Sequence, residues 1–209
     1  QAEGCVLLID NLDSFTLNIA HAIAGLGREV LIYKARDGIS DLDWNEETCV
    51  EFVHRFQPTH IVLGPGPGEP TDSPLTMSLA HSALSGKITT PLLGICLGHQ
   101  ALGMAAGMEL AQSPNGPVHG APRTCLHNQT GVFSTLKSPA TFTRYNSLSL
   151  ASMENGTFLE TAHEADTQMV MGIRHPNVPI HGIQFHPESV GSKEGLELLK
   201  NFLALEADD

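Results

Sequence analysis

The sequence predicts an α/β fold: an open, mainly parallel β-sheet with flanking helices, and a smaller antiparallel β portion in the second half. Three observations predict it. Short, continuous apolar runs recur through the first hundred residues, the pattern of strands buried on both faces. Stretches with apolar residues at helical spacing separate them, and that alternation builds right-handed βαβ units. Beyond Leu110 the texture changes to short β-prone pieces punctuated by turns.

The elements follow in order. Cys5 to Asp10 is an unbroken apolar run and the first strand, and Asn11 to Ser14 supplies turn and capping chemistry. Phe15, Ile19, Ala22, Ile23 and Leu26 then recur at helical spacing, with Gly27 where a C′ glycine belongs. Glu29 to Lys34 is the second strand. Asp43 with Glu46 three residues on opens the next helix, whose inner face carries Cys49, Phe52, Val53 and Phe56. His60 to Gly64 and Pro91 to Ile95 are the third and fourth strands, and Gln100 to Ala106 is rich in helix formers. Further strands are expected at Arg123 to His127, Thr141 to Tyr145, Thr157 to Ala162, Met169 to His175 and Ile180 to Phe185. A last helix from about Lys193 to Leu205 turns Leu196, Leu199, Phe202 and Leu203 inward. No repeat, low-complexity segment or linker divides the chain, so residues 1–209 are expected to be one domain. The opening Gln1-Ala2-Glu3-Gly4 has no initiator Met and no basic n-region; residues 1–3 are expected to be a cloning remnant or a cut from a longer chain.

Ligands in sheets of this kind bind beyond the carboxyl ends of the strands. After the fourth strand stands Gly94-Ile95-Cys96-Leu97-Gly98-His99-Gln100. Strand, Gly-x-Cys-x-Gly, then helix is a nucleophile-elbow pattern with sulfur in place of the serine oxygen. The sharp turn lifts Cys96 out of the sheet, and the helix N-terminus aims N–H groups and its positive dipole end at the sulfur, favouring thiolate. A free cysteine is ordinarily just a small buried hydrophobe; its place on this turn is what marks Cys96. At the end of the third strand lies Gly64-Pro65-Gly66-Pro67-Gly68. Such a segment is usually only a stiff loop, but it falls at the same sheet edge, where a rigid glycine turn can aim a backbone N–H at a reacting oxygen.

A thiolate nucleophile needs a base, and the base needs an orienter. Gln184-Phe185-His186-Pro187-Glu188-Ser189 offers both. His186 ends an apolar strand, Pro187 stops further ladder pairing, and Glu188 returns to the side of His186. A carboxylate there holds the imidazole tautomer and stabilises imidazolium. His99 and His119 have no adjacent carboxylate and are second choices.

Composition removes several function classes. The formal charge is −12, which repels phosphate backbones, so nucleic acid is not an expected partner. No apolar run approaches the roughly 20 residues of a membrane span, so no membrane is expected either. The four cysteines are scattered without a Cys-x-x-Cys pair, which favours a reducing compartment, cytoplasm or one such as the plastid stroma. Eleven histidines form no metal-binding pattern, so neither metal nor cofactor is expected.

The elbow together with Gln184 to Ser189 resembles the class I (triad) glutamine amidotransferases. Asp10-Asn11-Leu12-Asp13-Ser14-Phe15-Thr16, Gly64 to Gly68 and Met171-Gly172-Ile173-Arg174-His175 narrow the resemblance to the glutaminase components of anthranilate synthase and aminodeoxychorismate synthase. It extends from Leu8 to Phe202 and implies a flavodoxin-like domain. It also implies a triad of Cys96, His186 and Glu188, oxyanion N–H groups from Gly66 and Leu97, and glutamine contacts from Gln100 and the backbone of Ser147 and Leu148. The implied reaction is hydrolysis of L-glutamine through a glutamyl thioester, with ammonia passed to a chorismate-using synthase subunit or domain. A stand-alone γ-glutamyl hydrolase, a glutaminase of another synthase and an inactive binding module are the alternatives. The chain departs from the family pattern at Asn146, where His is expected, and at Met104-Ala105-Ala106, where an aromatic followed by paired glycines is expected. Ala121-Pro122 likewise replaces a usual Lys-containing turn.

Overall fold

The computed structural model describes residues 4–36, 43–151 and 156–206. Four parallel strands of the first half, β1 (Cys5–Asp10), β2 (Glu29–Lys34), β3 (His60–Leu63) and β4 (Leu92–Ile95), stand beside strands of the second half in one sheet. The latter are β6 (Ala121–His127), β7 (Ala140–Arg144), β9 (Leu159–Glu164), β10 (Val170–Arg174) and β11 (Ile180–Ile183). The spatial order is β2-β1-β3-β4-β11-β10-β9-β6-β7. Up to β11 every pair is parallel, and from β10 onward every pair is antiparallel. The antiparallel part expected of the second half is thus mostly an extension of the main sheet. A separate two-stranded sheet pairs β5 (Leu110–Gln112) with β8 (Leu148–Leu150).

Strand alternation sorts the core into two layers. Val6 and Leu8 face α1 (Thr16–Gly25) and α5 (Gly195–Leu203), packing with Ile19, Ile23, Leu199 and Phe202. Leu7 and Ile9 face the other way, toward α2 (Glu46–Phe56), α3 (Pro74–Leu84) and α4 (Leu97–Ala105), packing with Phe52, Leu79 and Ala101. Truncating a fully buried residue such as Leu8 or Phe202 to Ala costs about 2–5 kcal/mol.

Three local expectations are corrected. The box that opens α2 is Asn45 with Thr48, not Asp43 with Glu46: Asn45 Oδ1 accepts from the N–H of Glu47 at 2.9 Å and of Thr48 at 3.1 Å, and Thr48 Oγ1 accepts from Asn45 N–H. Glu46 instead pairs with Lys87. In α5 the inward stripe is Leu198, Leu199, Phe202 and Leu203, whereas Leu196 is 54% exposed on the opposite flank. Finally, α3, β5 and β8 occupy stretches for which the sequence reading names no element.

Candidate active site

Cys96 is at once the end of a strand and the cap of a helix. Its N–H continues the ladder to Ile183 O at 2.9 Å, and its carbonyl accepts the first helical bond of α4 from Gln100 N–H at 3.1 Å. Joining the two requires φ 53° and ψ −103° at a residue with a Cβ, a conformation that costs of order 1–3 kcal/mol and persists only where the surroundings impose it. The flanking glycines are dictated by close approach. A Cβ on Gly98 would stand 2.1 Å from Leu63 O, and one on Gly94 would stand 2.5 Å from the Gly98 carbonyl carbon. Leu97 is the first residue of α4, so its N–H has no partner within the helix and lies beside the cysteine.

The neighbouring strand, β11, carries the chain to His186. Its backbone is held from two sides, by a bond from His186 N–H to Thr143 O at 2.9 Å and by Ser192 Oγ donating to His186 O. His186 Nδ1 meets Glu188 Oε1 at 2.6 Å, and both side chains are shielded from solvent. With Nδ1 donating to the carboxylate, the other ring nitrogen is left for the neighbouring Cys96 sulfur. Burial pulls the His186 pKa down, but the nearby Cys96 and Glu188 outweigh it and raise it to about 10. The rings of Phe15 and Tyr145 approach the imidazole edge-on, with centroids 5.5 and 5.0 Å away. Of the second-choice histidines, His99 is fully buried with Nδ1 against Gly182, and burial depresses its pKa to about 3. His119 is exposed in the segment between β5 and β6.

The loop after β3 is fixed by Asn11, to which the sequence alone assigns turn and capping chemistry and a place in the Asp10 to Thr16 motif. Asn11 is fully buried; its Nδ2 donates to Gly64 O at 3.0 Å and its Oδ1 accepts from Ser73 Oγ and Thr76 Oγ1 at 2.7 and 3.0 Å. A Cβ on Gly66 would stand 2.6 Å from both Asn11 Cβ and Asn11 O, so only glycine lets the two strand ends meet. Arg36 clamps the loop's far end through Pro67 O and Glu69 O. The signal for Asn11 was available: a polar amide directly after a buried strand has carbonyls to satisfy.

Gln100 projects from the first turn of α4 toward β8. Its Nε2 donates to Leu148 O at 2.9 Å and to Gln184 Oε1 at 3.2 Å. Ser147 O accepts from Ser113 N–H at 2.8 Å. The structure therefore joins His186 to Glu188 and Gln100 to Leu148 through hydrogen bonds and sets Cys96 beside His186; Gly66 is placed by Asn11 at the same strand ends. Among the described residues no cluster of three or more His, Cys, Asp or Glu side chains could hold a metal ion, and no helix is long and apolar enough to cross a membrane.

Comparison with known proteins decides the family. The family model described as glutamine amidotransferase class-I matches residues 7–205. This chain belongs to the class-I glutamine amidotransferases. Among its members it is similar to aminodeoxychorismate synthase component 2 of Serratia marcescens, 40% identical over 95% of this chain and 98% of that one. It is similar also to anthranilate synthase component 2 of Azospirillum brasilense, 38% identical over 95% and 94% of the two chains. Against the bifunctional protein TrpGD of Thermotoga maritima it is 38% identical over 96% of its own length but spans only 32% of that protein. A solved glutamine amidotransferase of Thermotoga maritima shares the fold, with a TM-score of 0.72 at 15% identity, over 98% of this chain and 100% of that one. The amidotransferase is thus of the anthranilate and aminodeoxychorismate synthase type, and identities of 38% and 40% do not separate the two.

Proposed function

We propose that this amidotransferase hydrolyses L-glutamine to glutamate and ammonia with Cys96 as nucleophile, His186 as acid and base and Glu188 as orienter, and that residues 1–209 form one such domain. The observation that carries the reading is the 2.6 Å bond between the buried His186 and Glu188 side chains, set beside the strained Cys96 turn. In the reactive form the proton sits on imidazole and the negative charge on sulfur, an arrangement that the N-terminus of α4 and the neighbouring imidazolium favour. The thiolate attacks the side-chain amide carbon, and the carbonyl oxygen becomes an oxyanion facing the N–H groups of Leu97 and Gly66. Each such donor lowers the barrier by about 3 kcal/mol. His186 then gives its proton to the amide nitrogen, the C–N bond breaks and ammonia leaves a glutamyl thioester on Cys96. Neutral His186 next takes a proton from water, the hydroxide adds to the thioester, and the sulfur leaves as thiolate with glutamate released. Gln100, Ser147 and Leu148 hold the amino-acid end of the substrate.

Ammonia released into neutral water is protonated and loses its nucleophilicity. We infer a synthase partner that takes it directly, and the component 2 relatives make a chorismate-using synthase the expected one. Cys96 is only 6% exposed and His186 1%, so access for glutamine is narrow, and a docked subunit can favour the arrangement of the neighbouring loops that admits it. Work in a reducing compartment, cytoplasm or plastid stroma, fits a nucleophile of this kind.

The test is glutamate release by the isolated chain and with each chorismate-using synthase added together with chorismate. The cognate partner should raise the rate tenfold or more. Cys96→Ser should abolish release, while ammonium salts still support the synthase, and a glutamine-derived chloroketone should label Cys96. Full-speed hydrolysis indifferent to both synthases would indicate a γ-glutamyl hydrolase, and labelling of Cys5, Cys49 or Cys125 with activity intact in Cys96→Ser would refute the site.

A further inference from the structure

Asn146, where the family pattern leads one to expect histidine, has every polar function in use. Its Oδ1 accepts from Arg144 Nε at 3.0 Å, and its Nδ2 donates to Ser113 Oγ at 3.1 Å and to Leu148 O at 2.8 Å. It is 5% exposed. Behind it Arg144, 1% exposed, donates from Nη1 to Glu164 Oε1 at 2.8 Å, and Glu164 also receives Arg123 Nε at 3.3 Å and the Thr167 hydroxyl. A buried guanidinium is costly unless paired and bonded. Here Glu164 balances its charge, and the Nε bond spends one of its fixed donors on Asn146.

The consequence falls on the backbone of 146–148. Asn146 O accepts from Val118 N–H at 3.1 Å, Ser147 O from Ser113 N–H at 2.8 Å, and Leu148 O from both Asn146 and Gln100. Leu148 O is therefore held between a side chain on α4, the helix that Cys96 caps, and a side chain anchored through Arg144 to β9.

We propose that Arg144 and Asn146 are positioning residues that set the Ser147–Leu148 backbone against the amino-acid end of glutamine, and so govern substrate affinity rather than the chemical steps. The proposal rests on the reading above that Ser147 and Leu148 line the glutamine site. An amide serves all three bonds, one acceptor and two donors, whereas an imidazole with two nitrogens keeps two of them. Histidine at 146 is thus a partial replacement and alanine none.

The experiment compares Asn146→Ala, Asn146→Asp and Asn146→His with the parent chain in the presence of its synthase, reading KM for glutamine, kcat and two rates of Cys96 alkylation. One reagent is the glutamine-derived chloroketone, which carries the amino-acid end; the other is iodoacetamide, which does not. Asn146→Ala should raise KM about tenfold with kcat within twofold, slow the chloroketone in parallel, and leave iodoacetamide within twofold. Asn146→Asp keeps the Arg144 bond but loses both donors, so it should raise KM as much, and it serves where the alanine variant fails to fold. Asn146→His should recover most of the KM. A KM unchanged in Ala and Asp, a fall in kcat larger than the rise in KM, or equal slowing of both reagents overturns the proposal. A parent chain that neither hydrolyses glutamine nor reacts with chloroketone at Cys96 refutes the proposed function instead, so the two failures are distinct.

Discussion

Replacing Cys96 by Ala and by Gly should invert the usual stability order of those two residues. At an ordinary position glycine is about 0.5–1 kcal/mol less stable than alanine, because it loses more backbone freedom on folding. At φ 53°, ψ −103° any residue with a Cβ carries strain of order 1–3 kcal/mol, and glycine is free of it. Subtracting the first from the second leaves glycine ahead by about 1 kcal/mol. In a domain of this length that corresponds to a Tm roughly 2–4 °C higher for Cys96→Gly than for Cys96→Ala. Both variants lack the sulfur, so loss of the contact to His186 cancels in the comparison. The assay is thermal unfolding followed by circular dichroism, with urea unfolding as a check that the slopes agree. An alanine variant as stable as the glycine variant, or more so, would refute the claim that the turn at the nucleophile is held against its own backbone preference.

Two further outcomes follow from the same geometry. Glu188→Gln keeps the side chain's shape at 2.6 Å from His186 but removes the charge that steadies imidazolium, so steady-state kinetics should show kcat lower by roughly one to four decades; full activity would dismiss Glu188 as the orienter. His186 has a folded pKa raised from 6.5 to about 10, so its contribution to stability is complete below pH 6.5 and is lost as pH rises toward 10. Chemical denaturation across that window should show falling stability in the parent chain and a flatter profile in His186→Gln, and parallel profiles would contradict the assignment.

Much of this was legible in the chain because the physics was local. Leu7-Leu8-Ile9 and Ile61-Val62-Leu63 are apolar without alternation, as burial on both faces requires, and all are fully buried. The elbow was legible because Gly94 and Gly98 answer a steric demand within five residues of one another. His186 and Glu188 were close enough in sequence for their pairing to be read directly. What escaped depends on distant partners. The inner face of α3 mixes Leu75 and Leu79 with Thr76 and Ser82, and Thr76 is buried because Asn11, 65 residues away, accepts its hydroxyl. β8 is three residues long and exists by pairing with β5. The burial of Arg144 cannot be read from its neighbours either, since its charge is balanced by Glu164 on β9, with β6 lying between the two strands in the sheet. Asn45 displaced Asp43 as the cap of α2 because Thr48 reciprocates its bond.

The place of β11 in the sheet has a consequence for how the molecule is made. This strand is inserted between β4 and β10, parallel to one and antiparallel to the other, although it comes late in the chain. As the chain leaves the ribosome, the cysteine turn is synthesised ninety residues before His186, its proposed base, and until Ile180 to Ile183 arrive both β4 and β10 are open edges. Open edges of apolar strands invite pairing with other chains, and pairings so remote in sequence form slowly. Closing the gap with β11 removes both edges in one step and, in the same step, delivers His186 to Cys96. A nascent or truncated chain without β11 therefore carries Cys96 without the histidine proposed as its base, and the event that completes the sheet brings the two together.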